Sequence, residues 1–351
     1  MIAAAVLLAG SAALLILAAR VPDFAEWHAE HVYPLLTGSI GRISGLFPFS
    51  VSEVGIYVML CLFVITLVRL IMRVIRGRDR PAFILGWLSG VLLTAGILLF
   101  LYTVCCGINY YRCSFSEEEG LETYSYSAEE LKEVCLILTD QVNALADKVP
   151  RSEDGVLELE TPEDEGGVEA MEKLASEYSS LEGFYPRPKE LILSEILSYQ
   201  QLTGIYLPFT VEANYNGDMP AYNKPFTACH ELSHLRGFMQ EQEANFIAFL
   251  ACIGSERTDF NYSGFLSGYV YCTNALYRAD RDSWQEIRGM LDPAAEADLA
   301  ANNAFWDRYE GAVSDMADRI NDTYLKANGQ EDGVKSYDRM VDLIVAYYKK
   351  I

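Results

Sequence analysis

The stretch ACHELSHLRGFMQEQEANFIAFLAC, residues 228–252, decides the fold of the second part of the chain. His230 and His234 are four residues apart, and the whole sequence of 351 residues has only four histidines. At this spacing both imidazoles project from one face of a helix, which lets a helix hold Zn²⁺ through two nitrogen ligands. Glu231 is placed to act as the general base. The pattern therefore predicts a zinc site that hydrolyses amide bonds, on a helix with Thr227 as its N-cap.

A third protein ligand must follow the two histidines. The metzincin pattern requires a histidine six residues after His234, but Gln240 occupies that position. The gluzincin pattern instead takes a glutamate from a second helix, and Gly237 can end the first helix in time for one. Glu243 is the preferred ligand because it shares a helical face with large apolar residues. Glu241 is the alternative, either as the ligand or as a group that supports it.

The first part of the chain reads as a membrane anchor. Three apolar stretches, 2–19, 54–72 and 82–106, have the length needed to cross a bilayer. The short loop 73–80 between the last two contains Arg73, Arg76, Arg78 and Arg80, so it is expected in the cytoplasm. That orientation places the N-terminus inside. The sequence thus predicts a lipid-embedded domain at 1–106 and a domain outside the cytoplasmic membrane at 107–351.

Charge is divided unequally between these two parts. Residues 1–112 contain eight Arg, no Lys and five acidic residues, whereas the remainder contains 19 basic and 44 acidic residues. An acidic surface is unsuited to neutralising phosphates, which argues against a nucleic-acid partner. Peptide or protein substrates in the cell envelope are expected from the location. Oligomeric state and substrate preference cannot be read from the sequence.

The outer domain is expected to be mostly α-helical, with a small edge sheet. A Ser-Ala-Glu-Glu capping pattern opens a helix at 127–148, and Asp292 before Pro293 is a second N-cap signal. The segment 204–216, rich in β-branched and aromatic residues, predicts a short strand or hairpin edge. Further helices are predicted at 168–182, 189–200, 260–278, 282–291, 294–325 and 333–349. Two other patterns are less informative: His28 and His31 suit the membrane interface, and five cysteines of the outer domain allow one or two disulfides.

The sequence resembles a bacterial membrane-anchored family, domain of unknown function 3810, which is grouped with zincin-like peptidases. The resemblance covers nearly the whole chain. It rests on LFPFSVSEV, GINYYR, FTVEANYN, the segment 225–252, NYSGFL, and the stretch 321–348 near the end. It implies a gluzincin-like domain attached to the bacterial cytoplasmic membrane. The expected fold is three N-terminal transmembrane helices followed by a mostly α-helical (α+β) zincin-like metallopeptidase domain.

The resemblance also implies roles for residues outside the HELSH motif. In zincins an edge strand near the active helix pairs with the substrate backbone, so FTVEANYN would provide Glu212 and Asn214 to the cleft. A tyrosine, histidine or arginine usually stabilises the oxyanion, and Tyr262 or Tyr269 is the candidate here.

One position departs from the gluzincin pattern. Many gluzincins carry an aspartate four residues after the ligand glutamate, where it orients a histidine ligand. Four residues after Glu243 stands Ile247, so Asn245 or Glu241 would have to take that role.

Two non-catalytic functions remain open at this point. The chain would also fit a zinc-binding membrane sensor, or an envelope-structure protein with purely structural zinc. A fourth protein ligand, such as Cys229 or Glu241, would favour the structural site, whereas an open fourth position would favour the enzyme.

Overall fold

The computed structural model describes residues 1–77, 80–328, 330 and 339–350. Most of these residues are helical, and one sheet of three short strands is present. The chain divides into two compact units. Unit 1 consists of Met1–Arg112 and Leu207–Glu212, and unit 2 consists of Cys113–Tyr206 and Ala213–Ile351. The division falls close to the boundary predicted at 106/107, except that unit 1 also includes a short segment from the second half.

Unit 1 contains three helices that are long and apolar enough to cross a membrane: α1 (Ile2–Arg20), α5 (Val51–Arg76) and α6 (Arg80–Cys105). Most of their surface is not buried within the protein, as expected of helices that face lipid. They coincide with the three predicted stretches. Their orientation in a membrane remains a prediction, and Arg78 of the predicted cytoplasmic loop lies outside the described residues.

Short helices connect the first two long ones: α2 (Phe24–His31), α3 (Tyr33–Leu36) and α4 (Arg42–Ser44). His28 is buried and its Nδ1 lies 3.3 Å from Oδ1 of Asn109, whereas His31 is exposed. His28 is therefore a packed side chain of unit 1 rather than an interfacial one.

Within the described residues unit 2 contains eleven α-helices, strand β1 and most of strands β2 and β3, whose ends at Leu207 and Glu212 belong to unit 1. The elements before the HELSH motif are α7 (Phe115–Glu118), α8 (Ala128–Ala146), α9 (Glu163–Ala175), β1 (Lys189–Glu190), α10 (Ser194–Tyr199), β2 (Gly204–Leu207) and β3 (Glu212–Tyr215). The helices that follow are α11 (Asn223–Leu235), α12 (Glu241–Gly254), α13 (Thr258–Ala279), α14 (Arg281–Arg288), α15 (Pro293–Trp306), α16 (Ala312–Ala327) and α17 (Met340–Lys350).

The core of unit 2 forms where α8, α9, α11, α12 and α13 pack together. Helix α8 shows why: Ser127 and Glu130 form a capping box at its start, and Leu131, Val134 and Leu138 form one buried stripe. Helices α11 and α12 are buried along almost their whole length. This packing gives the HELSH motif a rigid support.

Several predicted elements agree with the structure. The capping box at Ser127 is present, Asp292 accepts a hydrogen bond from the backbone N–H of Ala294, and 204–216 contains β2 and β3. The strands lie in the order β1-β3-β2, with β1 and β3 parallel.

Other predictions need correction. Thr227 lies inside α11, which begins at Asn223, so it is not an N-cap. The helix predicted at 168–182 is α9, which begins earlier, at Glu163. The segment 189–200, predicted as helix, begins with strand β1 and is helical only from Ser194; the segment 294–325 is divided between α15 and α16, and residues 333–338 of the last predicted helix lie outside the described residues. None of the eight cysteines, all of which the structure describes, forms a disulfide, and the sulfurs of Cys229 and Cys252 lie 3.8 Å apart.

Candidate metal centre

The turn between α11 and α12 brings the two halves of the site together. Gly237 has a φ of +93°, in the left-handed region that glycine adopts without strain. The N–H of Gly237 donates to the carbonyl of His234, and the N–H of Phe238 donates to that of Ser233. These two bonds form a Schellman motif, which ends the helix and reverses the chain. Only three residues later α12 begins at Glu241, beside the histidines.

His230, His234 and Glu241 form one compact group. Oε2 of Glu241 lies 3.3 Å from Nε2 of His230 and 3.6 Å from Nε2 of His234. One ligand atom from each residue lies within 4.8 Å of the other two. Tetrahedral ligands at about 2.1 Å from a zinc ion are separated by roughly 3.4 Å. The spacing therefore suits a zinc ion.

A backbone carbonyl outside the trio holds the ring of His234 in place, and a side-chain amide lies near His230. Nδ1 of His234 lies 2.8 Å from the carbonyl oxygen of Phe238, which directs the other ring nitrogen, Nε2, toward Glu241. Asn245 lies one helical turn after Glu241 and interacts with His230. The Schellman turn thus positions both a ligand-bearing helix and the carbonyl that orients His234.

The electrostatics of the group favour a cation. Burial acts to lower the pKa of His234, but the Glu241 carboxylate outweighs it and raises that pKa to about 9. Burial lowers the pKa of His230, against the opposing effect of Glu241. Burial acts to raise the pKa of Glu241, yet the two histidines hold it far below its usual range. Glu241 is thus an ionised carboxylate, and a metal ion would replace a proton held at His234.

Glu231 is a buried carboxyl beside this group. Burial raises its pKa to about 8, and its Oε2 atom has no hydrogen-bond partner within the described part of the chain. Oε2 of Glu241 and Nδ1 of His230 are likewise buried without a hydrogen bond there. Buried polar atoms are seldom left unsatisfied, so the carboxylate oxygens of Glu231 and Glu241 fit a site that binds a cation or a water molecule. Two imidazole nitrogens and one carboxylate oxygen fit Zn²⁺.

Comparison with known proteins places the chain in a family. The sequence model of a family described as "Protein of unknown function (DUF3810)" matches residues 28–345. The chain belongs to the DUF3810 family. No curated protein and no solved structure matches it.

The preference for Glu243 as the third ligand is corrected in this DUF3810 protein. The carboxylate of Glu243 accepts hydrogen bonds from the backbone N–H and the hydroxyl of Ser116, at 2.9 and 2.8 Å. It thereby fastens the start of α7 to α12. Glu241, the alternative, faces the histidines instead. The sequence analysis chose Glu243 because this residue lies on the most apolar face of α12, but that face packs into the core.

With Glu241 as the candidate third ligand, the comparison with gluzincins also changes. The position four residues after the ligand is now Asn245, not Ile247. Asn245 is buried and faces His230. Asn245 thus provides an amide where many gluzincins have an aspartate. The sequence predicted Asn245 or Glu241 as the residue that orients a histidine.

The two candidate oxyanion donors are both buried side chains, and one of them has other partners. The hydroxyl of Tyr262 donates to Asp298 at 2.6 Å and accepts from Arg151 at 3.3 Å, in a network that also contains a 3.0 Å ion pair between Arg151 and Asp298. Tyr269 is fully buried near Arg288, and its hydroxyl has no hydrogen-bond partner within the described part of the chain. The prediction of Tyr262 as a catalytic donor is therefore corrected to a structural role.

The residues proposed for the substrate cleft are also placed differently. Glu212 belongs to unit 1, where its carboxylate accepts from the backbone N–H groups of Val51 and Ser52 at 3.0 and 2.8 Å. It caps the start of α5 and is not a free cleft residue. Asn214 is fully buried, and its side-chain amide donates to the carbonyl of Ile205 at 3.3 Å, which ties β3 to β2.

One residue of the site was missed by the sequence analysis. Gly204, at the start of β2, lies against Glu231: a β-carbon at this position would be 2.5 Å from Oε1 of Glu231. A glycine within a strand pattern often marks close approach of another group, and that signal was available in the sequence. The approach places the first residue of β2 directly beside the candidate base.

Proposed function

We propose that this chain is a membrane-anchored, zinc-dependent metallopeptidase of gluzincin type that hydrolyses peptide bonds outside the bacterial cytoplasmic membrane. The observation that carries the proposal is the convergence of His230, His234 and Glu241, with Glu231 buried beside them. The three long apolar helices of unit 1 would serve as the anchor.

In this proposal His230, His234 and Glu241 hold the metal. A zinc ion bound there would polarise a substrate carbonyl and make a water molecule more acidic. Glu231 takes a proton from the attacking water at its carboxylate and then delivers it to the leaving amine. The first task needs the ionised carboxylate, and a cation bound beside Glu231 would favour that form against the burial that raises its pKa.

The three-ligand set favours an enzyme over structural zinc. Structural zinc sites are closed by four protein ligands, whereas catalytic sites keep a position open. Within the described residues only three groups meet at this point. Cys229, one possible fourth ligand, has its sulfur 3.8 Å from that of Cys252. Nothing in the site specifically favours the non-catalytic sensor.

The sheet would present the substrate to the site. In the order β1-β3-β2, strand β2 stands at one edge, and no described strand pairs with its outer side. An extended peptide can add to such an edge through backbone hydrogen bonds. Since β2 begins at Gly204, beside Glu231, a peptide bound there would run past the candidate base.

Hydrolysis by the full-length chain with zinc, and by Glu231→Gln, tests the proposal. The substrate is a mixture of unrelated peptides, and new termini are identified by mass spectrometry. We expect cleavage by the wild type and a loss of roughly 10²- to 10⁴-fold in Glu231→Gln, with bound zinc unchanged. Equal cleavage by both proteins, or none by a zinc-loaded wild type across the mixture, would overturn it.

A further inference from the structure

Helix α16 exposes an apolar stripe that nothing in the proposed mechanism explains. Val313, Met316, Ile320 and Tyr324 lie on one face of the helix and are 56%, 55%, 62% and 38% exposed. Contiguous apolar surface of this kind usually marks a binding site. The stripe lines a groove of about 570 Å³, whose other side includes Leu202.

The groove is connected to the metal centre through the chain. Leu202 lies two residues before Gly204, and Gly204 lies against Glu231. Two residues of extended chain span at most about 7 Å. One wall of the groove is therefore continuous with the start of the edge strand β2 and close to the candidate base.

Contacts at both ends of α16 position this helix between the residues that precede β2 and the turn that precedes α12. Before the helix, Gln201 donates to the carbonyl of Trp306 at 3.1 Å, and the rings of Tyr199 and Tyr309 pack edge to face at 5.0 Å. After it, the side chain of Gln330 donates to the carbonyl of Met239 at 3.3 Å. Met239 belongs to the turn between the two ligand-bearing helices. Helix α16 thus runs from the approach to β2 toward the turn beside His234.

We infer that the apolar face of α16 and Leu202 form a substrate subsite that takes the bulky apolar side chains of an extended peptide paired with β2. The inference rests on the proposed peptidase function and names its substrate class. Side chains of an extended peptide alternate, so every second one would point toward the groove. The groove also includes Gln200 and Asp318, and a few polar groups beside an apolar surface are typical of ligand sites.

A lipid surface and a second copy of the chain fit the stripe less well. Helices that lie on membranes carry an excess of Lys and Arg, whereas α16 carries three Asp (Asp315, Asp318 and Asp322) against Arg319 and Lys326, and Lys326 is paired with Asp322. Self-association of two copies would not require the apolar stripe to adjoin Leu202, the groove residue that leads to Gly204.

Binding of defined peptides to the full-length chain in lipid nanodiscs tests the subsite. The probes are a short fluorescein-labelled peptide with leucine at alternate positions and the same peptide with serine there. They are titrated by anisotropy into zinc-loaded Glu231→Gln, which prevents turnover. We expect the leucine peptide to bind about tenfold tighter, and Ile320→Gln to remove most of that difference. Ile137→Gln on α8, at an exposed isoleucine of another helix, should leave it intact.

Equal affinity for the two peptides would overturn the subsite, as would equal effects of Ile320→Gln and Ile137→Gln. A change in self-association or lipid binding by Ile320→Gln, with peptide binding unaltered, would also overturn it. If the protein cleaves peptides and Ile320→Gln does not change the cleavage rate, the peptidase function is retained and the subsite is rejected. Preferential binding of the leucine peptide without any cleavage would retain the subsite and reject the peptidase.

Discussion

Gly204 and Glu231 lie so close together that no larger residue fits at position 204. A β-carbon there would be 2.5 Å from Oε1 of Glu231, 2.7 Å from Cγ2 of Thr227 and 2.8 Å from the carbonyl oxygen of Asn214. Two of these atoms belong to α11 and one to β3, so a shift of the strand cannot relieve all three contacts. The start of β2 and the candidate base are thus fixed against each other.

Gly204→Ala is therefore expected to impair both stability and hydrolysis. Overpacking of this kind costs about 1–3 kcal/mol, and displacing Glu231 should lower peptide cleavage further. Gly254→Ala is the matched control, because a β-carbon at Gly254 meets nothing within 4 Å. Thermal unfolding and cleavage rates of both variants check this. Wild-type activity in Gly204→Ala would show that Glu231 does not need this contact.

Gly237→Ala should weaken metal binding without touching a ligand. At a φ of +93° an alanine is strained by about 1–2 kcal/mol, and relief of that strain would disturb the turn that supplies the Phe238 carbonyl to His234. Gly289→Ala, at a helix end with φ −71°, is the control. Competition with a zinc-selective dye measures the affinity. Equal zinc affinity in the two variants would show that the conformation of this turn does not affect zinc binding.

Asn245 should contribute to metal affinity by orienting His230. Loss of such a supporting group typically reduces affinity 10- to 100-fold. We expect that loss in Asn245→Leu, and recovery of affinity in Asn245→Asp, because a carboxylate beside the ring of His230 can accept a hydrogen bond from it. The same dye competition applies. A leucine variant with wild-type affinity would assign Asn245 to packing alone.

Tyr262→Phe separates a structural tyrosine from a catalytic one. The variant leaves Asp298, which is fully buried, without the hydroxyl that donates to it, at a cost of about 1–3 kcal/mol. We expect lower thermal stability with unchanged zinc content and unchanged kcat. A fall in kcat at full stability would instead support the oxyanion role first suggested by the sequence.

The sequence was sufficient for the parts of the site that depend on local spacing. His230 and His234 are one helical turn apart in any helix, and Gly237 ends that helix as its conformation requires. The three apolar helices were equally readable, because length and composition alone define them.

The sequence was insufficient for the features that depend on how segments pack against each other in three dimensions. Glu241 and Glu243 are two residues apart and chemically identical, and only the angle of the turn before α12 directs one of them to the histidines. Glu212 was assigned to a cleft because it lies on a strand, yet it caps a helix 160 residues earlier in the chain. No local pattern encodes such long-range hydrogen bonds.

Zinc content of the purified full-length chain, measured by elemental analysis, tests the central claim most directly. The matched pair Glu241→Gln and Glu243→Gln changes one carboxylate each, two residues apart on the same helix. We predict one zinc per wild-type chain, loss of zinc in Glu241→Gln, and full zinc in Glu243→Gln, which should be less stable because Ser116 loses one of the two carboxylate oxygens that accept its hydrogen bonds. A folded wild type that takes up no added zinc, or zinc lost only from Glu243→Gln, would contradict the account.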